Sequence, residues 1–138
     1  MQSRVNVSRY IYAIVVSIFA VGILAQVYLV GLSLLGRRPS WEAHINLGHT
    51  LGAAALLMII LAYVAKLPYP MKPLSWAAFI TYVLLADIVI FMKDSTPAVA
   101  ALHPVLAALL FGVVGYLVVR SWRLVRTADL DVISQPLT

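Results

Sequence analysis

The sequence predicts an all-α integral membrane protein, folded as a single four-helix bundle with up-down-up-down topology. Hydrophobic residues make up 63% of the 138 residues and charged residues only 11%, whereas a soluble domain is nearer half apolar and a quarter charged. Four apolar runs are each long enough to cross the hydrocarbon layer, which requires about 20 residues. Short segments rich in Gly, Pro and charge separate the runs, so consecutive spans should be antiparallel.

The predicted spans cover approximately residues 10–35, 41–65, 74–92 and 97–119, and residues 1–138 form one transmembrane domain. The segments GRRPS, KLPYPMKP and KDSTP separate them. Ser40 and Thr96 stand where helix N-caps are expected, and Pro97 suits a first helical position. The first run is too long for a signal-peptide core and should be an uncleaved span. Residues 124–138 are expected to form a polar C-terminal tail.

The Lys and Arg residues predict the orientation of the bundle. Seven fall on the side that carries both termini, namely Arg4, Arg9, Lys66, Lys72, Arg120, Arg123 and Arg126. Three fall on the other side, namely Arg37, Arg38 and Lys93. By the positive-inside rule, we expect a multi-pass protein of the cytoplasmic (inner) membrane with both termini cytoplasmic. The expected partner of the apolar spans is the lipid bilayer. The sequence shows no surface of basic and aromatic residues of the kind that binds nucleic acid.

Polar side chains within the spans concentrate in the outer half of the predicted bundle. They are Gln26 in the first span, His44, Asn46, His49 and Thr50 in the second, Asp87 in the third and His103 in the fourth. An acidic or basic side chain within a span costs about 2.5–3.5 kcal/mol and usually indicates function or pairing. Asp87 should face the bundle interior, where it either serves a site or holds helices together by hydrogen bonding.

The spacing of the histidines predicts which of them share a ligand. His44 and His49 are five residues apart, which on a helix is about 140° around the axis, so they do not point at one small ligand. His44 and His103 lie at similar depth on the second and fourth spans, which face each other diagonally in this topology. Two imidazoles meeting across a bundle core indicate a b-type haem (heme b) with His44 and His103 as axial ligands of its iron.

Neighbouring residues would complete such a haem site. Gln26, His49 and Asp87 would surround the ligating imidazoles, and Asp87, Gln26 or a backbone carbonyl would orient them by a hydrogen bond. Arg37 and Arg38 suit the haem propionates, although lipid phosphate or Glu42 is an equally good partner. Pro104 directly follows His103 and is expected to bend the fourth helix and aim the histidine inward. The chain has no Cys, which excludes covalent c-type haem attachment, thiolate metal sites and disulfides.

The stretches QVYLVG at 26–31, WEAH at 41–44, GH at 48–49 and LHPVLA at 102–107 resemble a family of short bacterial four-helix membrane proteins of uncharacterised function. In that family a Gln precedes the apolar-Gly end of the first helix, a His opens the second and Leu-His-Pro opens the fourth. The resemblance implies importance, though no reaction, for a set of matching positions, namely Gln26, Gly31, His44, Gly48, His103 and Pro104.

The layout is also similar to one half of haem A synthase, whose two four-helix halves carry haem-binding histidines on their second and fourth helices. Glu42 is similar to the acidic residue that precedes the first of those histidines, but it lies one residue too close to His44. Ile45 stands where an Arg is usual, and only one half is present. The likeness implies a four-helix unit for b-type haem rather than haem A synthesis.

Three functions follow from these residues. The first is a small b-type cytochrome or haem-bearing membrane subunit, which would carry electrons with quinone or other redox membrane subunits as partners. The second is proton- or cation-coupled transport or sensing through Asp87, His49 and Gln26. The third is an accessory structural subunit without a cofactor, in which the polar layer only joins helices. An electron carrier is favoured over a stand-alone enzyme, no catalytic residue is predicted, and homo- or hetero-oligomerisation stays open.

Overall fold

The structure, a computed structural model, describes the backbone of residues 2–36 and 41–133 and the side chains of residues 5–36, 41–86 and 91–127. All regular structure within these ranges is helical, which confirms the predicted all-α class. The helices are α1 (Gln2–Leu34), α2 (Trp41–Val64), α3 (Met71–Val83), α4 (Val89–Met92), α5 (Pro97–Ala100) and α6 (His103–Ile133). A π-helical turn, Leu84–Ile88, joins α3 to α4 without a break.

Within the described ranges, three helical segments are long and apolar enough to cross a membrane. They are Val5–Leu34, Trp41–Val64 and Pro97–Thr127, the last of which includes the short turn between α5 and α6. The segment Met71–Ala86 is apolar but shorter, and the π-helical turn and α4 prolong it to Met92. Much of the surface of these segments is apolar, with Val21 65%, Val27 62% and Phe91 83% exposed. Lipid solvates such side chains as well as a protein core does, so this surface suits a bilayer.

The helices form a square in which each packs against two neighbours. α1 packs against α2 and α6, and α3 packs against the same two helices. The two diagonals of the bundle are therefore α1 with α3 and α2 with α6, and the predicted diagonal placement of the second and fourth spans is confirmed. Contacts such as Ser17 with Trp122 and Gln26 with His44 join residues in antiparallel register. The topology is up-down-up-down.

The two ends of the bundle differ in what they carry. We call the end with Leu34, Trp41 and Pro97 the histidine end, and the opposite end, where α1 begins and α6 ends, the terminal end. The large fully buried side chains lie in the middle and toward the terminal end, namely Tyr12, Val16, Phe19, Met58, Met71, Val114 and Leu117. The terminal half is thus close-packed, and open space is left to the histidine end.

The helix bounds differ from the predicted spans in three places. α1 begins at Gln2 and α6 runs to Ile133, so helix extends beyond the apolar runs and through much of the predicted polar tail. A π-helical turn interrupts the third span. Such single π turns are rare and occur frequently at functional sites. The backbone of Asp87 belongs to this turn, but its side chain lies outside the described part of the chain.

The predicted fourth helix is interrupted just before Pro104. The helix stops at Ala100, Ala101 and Leu102 form a turn, and α6 starts at His103. Pro104 therefore stands in the first turn of α6, where its missing N–H removes no helical hydrogen bond. The break, rather than a bend within a helix, places His103 at the start of α6.

Candidate functional site between α2 and α6

His44 and His103 meet across the diagonal of the bundle, as the sequence predicted. Their ring centroids lie 6.2 Å apart and their planes are inclined by 56°. His44 occupies the first turn of α2 and His103 the first residue of α6. Both helices start at the histidine end and run in the same direction. The two histidines near their starts therefore lie at a similar depth. Both side chains are partly buried.

A backbone carbonyl holds one side of each imidazole. His44 Nδ1 lies 3.4 Å from the carbonyl oxygen of Gln26 on α1. His103 faces the backbone carbonyl of Leu85, in the π-helical turn. A hydrogen bond at one ring nitrogen fixes the tautomer and orientation and leaves the other nitrogen as a potential ligand. The rings are thus oriented by α1 and by the π-helical turn, the two elements on the other diagonal.

The separation of the rings suits a single ion between them. A metal–nitrogen bond is about 2.0–2.1 Å long, so two imidazoles on opposite sides of one ion have ring centroids about 6 Å apart. The observed 6.2 Å agrees with this distance. Among the described residues, no cluster of three or more His, Cys, Asp or Glu side chains could hold a metal ion. Any metal here would therefore need further ligands from outside the chain.

An apolar cavity of about 460 Å³ surrounds the pair. This volume is in the range of small-molecule and cofactor sites, about 300–1,000 Å³. α1 contributes a single face to the wall, at positions spaced by three, four or seven residues. The wall on that face consists of Phe19, Ile23, Gln26, Val27, Val30 and Leu34. Ala107 and Leu110 continue the wall on α6, below His103.

Gly48 lies where three helices approach one another beside the cavity. A Cβ at this position would be 3.0 Å from Gln26 Nε2. Tyr82 on α3 donates a hydrogen bond of 2.8 Å to the Gly48 carbonyl oxygen. One turn further along α2, a Cβ at Gly52 would come within 2.7 Å of the same Tyr82 hydroxyl. These two glycines let α1 and α3 pack closely against α2, and this close packing encloses the cavity.

Gln26 contacts His44 through its backbone and not through its side chain. Its backbone oxygen faces the imidazole. The side-chain Oε1 is buried and has no hydrogen-bond partner within the described part of the chain. An uncompensated buried acceptor costs free energy, about 1–3 kcal/mol. The amide is therefore a polar group of the cavity wall that the histidine pair does not use.

The remaining predicted site residues fall in different places. His49 is exposed and lies at the margin of the cavity rather than against the two rings. Arg37 and Arg38 lie outside the described residues, as does the side chain of Asp87. Their roles in binding propionates and orienting imidazoles therefore stay predictions.

Sequence reasoning missed Tyr82, Leu85 and Trp41 as parts of the site. The Trp41 ring meets the His44 ring edge-on at 5.7 Å. Tyr82 stands opposite the two glycines of α2 in antiparallel register. The role of Leu85 is carried by its backbone, which no side-chain pattern can indicate.

Comparison with known proteins gives one match. Residues 26–90 match the model of a family of unknown function (DUF6220). The match starts at Gln26 and includes α2, α3 and the π-helical turn, which is somewhat less than half of the chain, and it stops before His103. No curated protein matches the chain, and no solved structure does. Similarity to a family without an assigned function is thus confirmed for this stretch, and the likeness to haem A synthase rests on the sequence pattern alone.

Proposed function

We propose that the chain is a small membrane b-type cytochrome, or the haem-bearing subunit of a membrane redox complex. His44 and His103 would be the axial ligands of one haem b (heme b). The observation that carries the proposal is the ring pair itself, with centroids 6.2 Å apart on diagonal helices. A cofactor bound there would supply one-electron chemistry at its iron, and the protein would supply ligands and an apolar surrounding.

The composition of the site favours haem over a bare metal ion. Two imidazoles leave most of a metal's coordination sphere unfilled, and the described residues form no group of three or more His, Cys, Asp or Glu side chains that could hold an ion. A porphyrin brings four nitrogen ligands of its own and needs only the two axial positions from the protein. The apolar walls, formed by residues such as Phe19, Ile23 and Leu110, suit the faces of a flat hydrophobic ring and exclude water.

The backbone contacts support the same assignment. An axial histidine usually donates its second N–H to a fixed acceptor, which raises the basicity of the ligating nitrogen. Gln26 and Leu85 provide such acceptors, one for each ring. Asp87, which follows Leu85 closely in the π-helical turn, and His49 at the cavity margin would tune the electrostatics. Arg37 and Arg38, between α1 and α2, would pair with the propionates.

In the cell, the proposed haem would lie in the outer half of the inner membrane. This placement combines the positive-inside orientation with the position of the pair at the histidine end. The described residues offer only one pair of facing imidazoles, so one haem per chain would exchange electrons between quinone or a redox membrane subunit and an acceptor near the outer surface. The proposed role is electron transfer rather than catalysis by the chain alone.

The test is the haem content of protein purified in mild detergent from haem-replete cells. We expect about one haem b per chain and a sharp α band in the dithionite-reduced minus oxidised spectrum. His44→Ala and His103→Ala should each lose the band or most of the haem. His49→Ala is the matched control, because His49 is exposed at the cavity margin, and it should keep both. Folded wild-type protein without haem would reject the proposal.

A further inference from the structure

The Gln26 side chain is the one strongly polar group of the cavity wall, apart from the histidines and the Tyr82 hydroxyl, among the described residues. The Tyr82 hydroxyl is already bonded to Gly48, and the imidazoles are held by backbone carbonyls. The Gln26 Oε1 is buried with no partner within the same described ranges. A polar group kept unpaired in an apolar wall indicates a ligand that pairs with it.

The amide can present either of its ends to a ligand. Gly48 leaves space beside it, since a Cβ there would press against Gln26 Nε2 at 3.0 Å. The terminal torsion of Gln has a broad, roughly two-fold energy profile, so a rotation of about half a turn exchanges the positions of the carbonyl oxygen and the amino group. The oxygen accepts from a hydroxyl and the amino group donates to a carbonyl. One side chain therefore suits both members of a hydroxyl and carbonyl redox couple.

The cavity is open on its sides toward the surface that faces lipid. Two of its lining residues, Val27 on α1 and Ile45 on α2, are 62% and 45% exposed. Leu34, further along the α1 face, is 74% exposed. In a bilayer these side chains contact acyl chains, so a hydrophobic molecule can pass from the lipid to the cavity without crossing water. A charged or water-soluble donor is disfavoured by the same apolar rim.

We infer that Gln26 hydrogen-bonds a lipid-soluble quinol that enters the cavity from its lipid-facing side, and that this quinol is the electron donor of the site. The inference rests on the proposed haem, because the haem is the acceptor. It assigns to Gln26 the recognition of substrate rather than the positioning of His44, which its backbone already performs.

Electrons and protons balance when each quinol makes two one-electron transfers at the site. One quinol gives up two electrons and two protons and becomes the quinone. Each electron would pass singly to the proposed haem, so one quinol would supply two one-electron transfers, with the haem reoxidised between them by the acceptor near the outer surface. Both protons leave to the aqueous phase at the histidine end. During the change the hydroxyl that donates to Gln26 Oε1 becomes a carbonyl, which accepts from Gln26 Nε2.

The test measures the rate at which duroquinol reduces the haem of the full chain in lipid nanodiscs, followed by stopped-flow absorption. Gln26→Leu keeps the backbone carbonyl that faces His44 and removes only the amide. Asn46→Leu is the matched control, since it removes an amide from an exposed position of α2. Haem content and the dithionite-reduced spectrum are recorded for each variant.

We expect duroquinol to reduce the wild type and Asn46→Leu at equal rates, and Gln26→Leu about tenfold more slowly with unchanged haem content, as the loss of one hydrogen bond predicts. Equal rates for Gln26→Leu and the wild type would overturn the inference. So would a wild-type haem that dithionite reduces and duroquinol does not. In either case the proposed cytochrome would stand. Wild-type protein without haem would overturn both.

Discussion

Tyr12 on α1 and Ser75 on α3 share a buried hydrogen bond of 2.8 Å across one diagonal of the bundle. It lies toward the terminal end, whereas His44 and His103 meet across the other diagonal at the histidine end. The bond between Tyr12 and Ser75 joins α1 directly to α3 through two side chains that are almost completely buried. The contact between His44 and His103 leaves two ring nitrogens and a cavity. One half of the bundle thus holds the helices together, and the other is left free for a ligand.

Tyr12→Phe should lower the stability of the bundle by about 1 kcal/mol, the net value of a typical buried hydrogen bond. The loss is moderate because Ser75 keeps its second bond, to the Met71 carbonyl. Thermal unfolding in detergent, followed by circular dichroism, measures the effect. Tyr116→Phe is the control, since Tyr116 is 42% exposed. An equal midpoint for the two variants would contradict the role of the Tyr12 hydroxyl.

Gly52→Ala should destabilise the bundle, because the new Cβ would lie 2.7 Å from the Tyr82 hydroxyl, which is held by its bond to Gly48. Overpacking of this kind costs about 1–3 kcal/mol, which exceeds the gain in helix propensity of about 1 kcal/mol. Gly112→Ala should have the opposite effect and stabilise the bundle. A Cβ at Gly112 meets nothing within 4 Å, so this variant should gain about 0.5–1 kcal/mol. Stabilisation by both substitutions would show that Tyr82 does not pack as described.

Ser17→Ala should destabilise the contact between α1 and α6. The Ser17 hydroxyl donates to the Ala13 carbonyl and accepts from Trp122 Nε1 at 3.1 Å. Its removal leaves the indole N–H without this acceptor, at a cost of about 1–3 kcal/mol.

Ser33→Ala is a matched control for this prediction. Ser33 makes the same bond within α1, to the Leu29 carbonyl. Its substitution should change the unfolding midpoint by less than that of Ser17→Ala. The Trp122 contribution to fluorescence should also shift only in Ser17→Ala. Identical midpoints and spectra would argue against the contact between Ser17 and Trp122.

Much of the fold could be predicted from the sequence, because hydropathy identifies the helical segments and short connections make neighbours antiparallel. The pairing of His44 with His103 followed from that topology, since parallel helices on a diagonal bring equal depths together. The details of the site could not be predicted in the same way. The π-helical turn, the use of the Gln26 backbone in place of its side chain and the contact of Tyr82 with Gly52 all depend on backbone register. Hydrophobic patterns do not determine register to one residue.

Pro104 shows that the local effect of a proline does not by itself determine the form of the helix around it. A proline removes the hydrogen bond to the carbonyl four residues earlier, here that of Ala100. This could bend a continuous helix or end one helix and start another. The chain does the latter, with the turn Ala101–Leu102 between α5 and α6. The choice depends on how His103 packs against His44 and Leu85, and this packing is not visible in the sequence around the proline.

The most direct test of the account is the spin state of the ferric protein, measured by electron paramagnetic resonance at low temperature. Two imidazoles on one iron give a low-spin haem, so the wild type and His49→Ala should show a low-spin signal. His44→Ala and His103→Ala should each show high-spin iron or lose the haem. A high-spin wild type, or a low-spin signal that survives in both single variants, would contradict the claim that His44 and His103 bind the same iron.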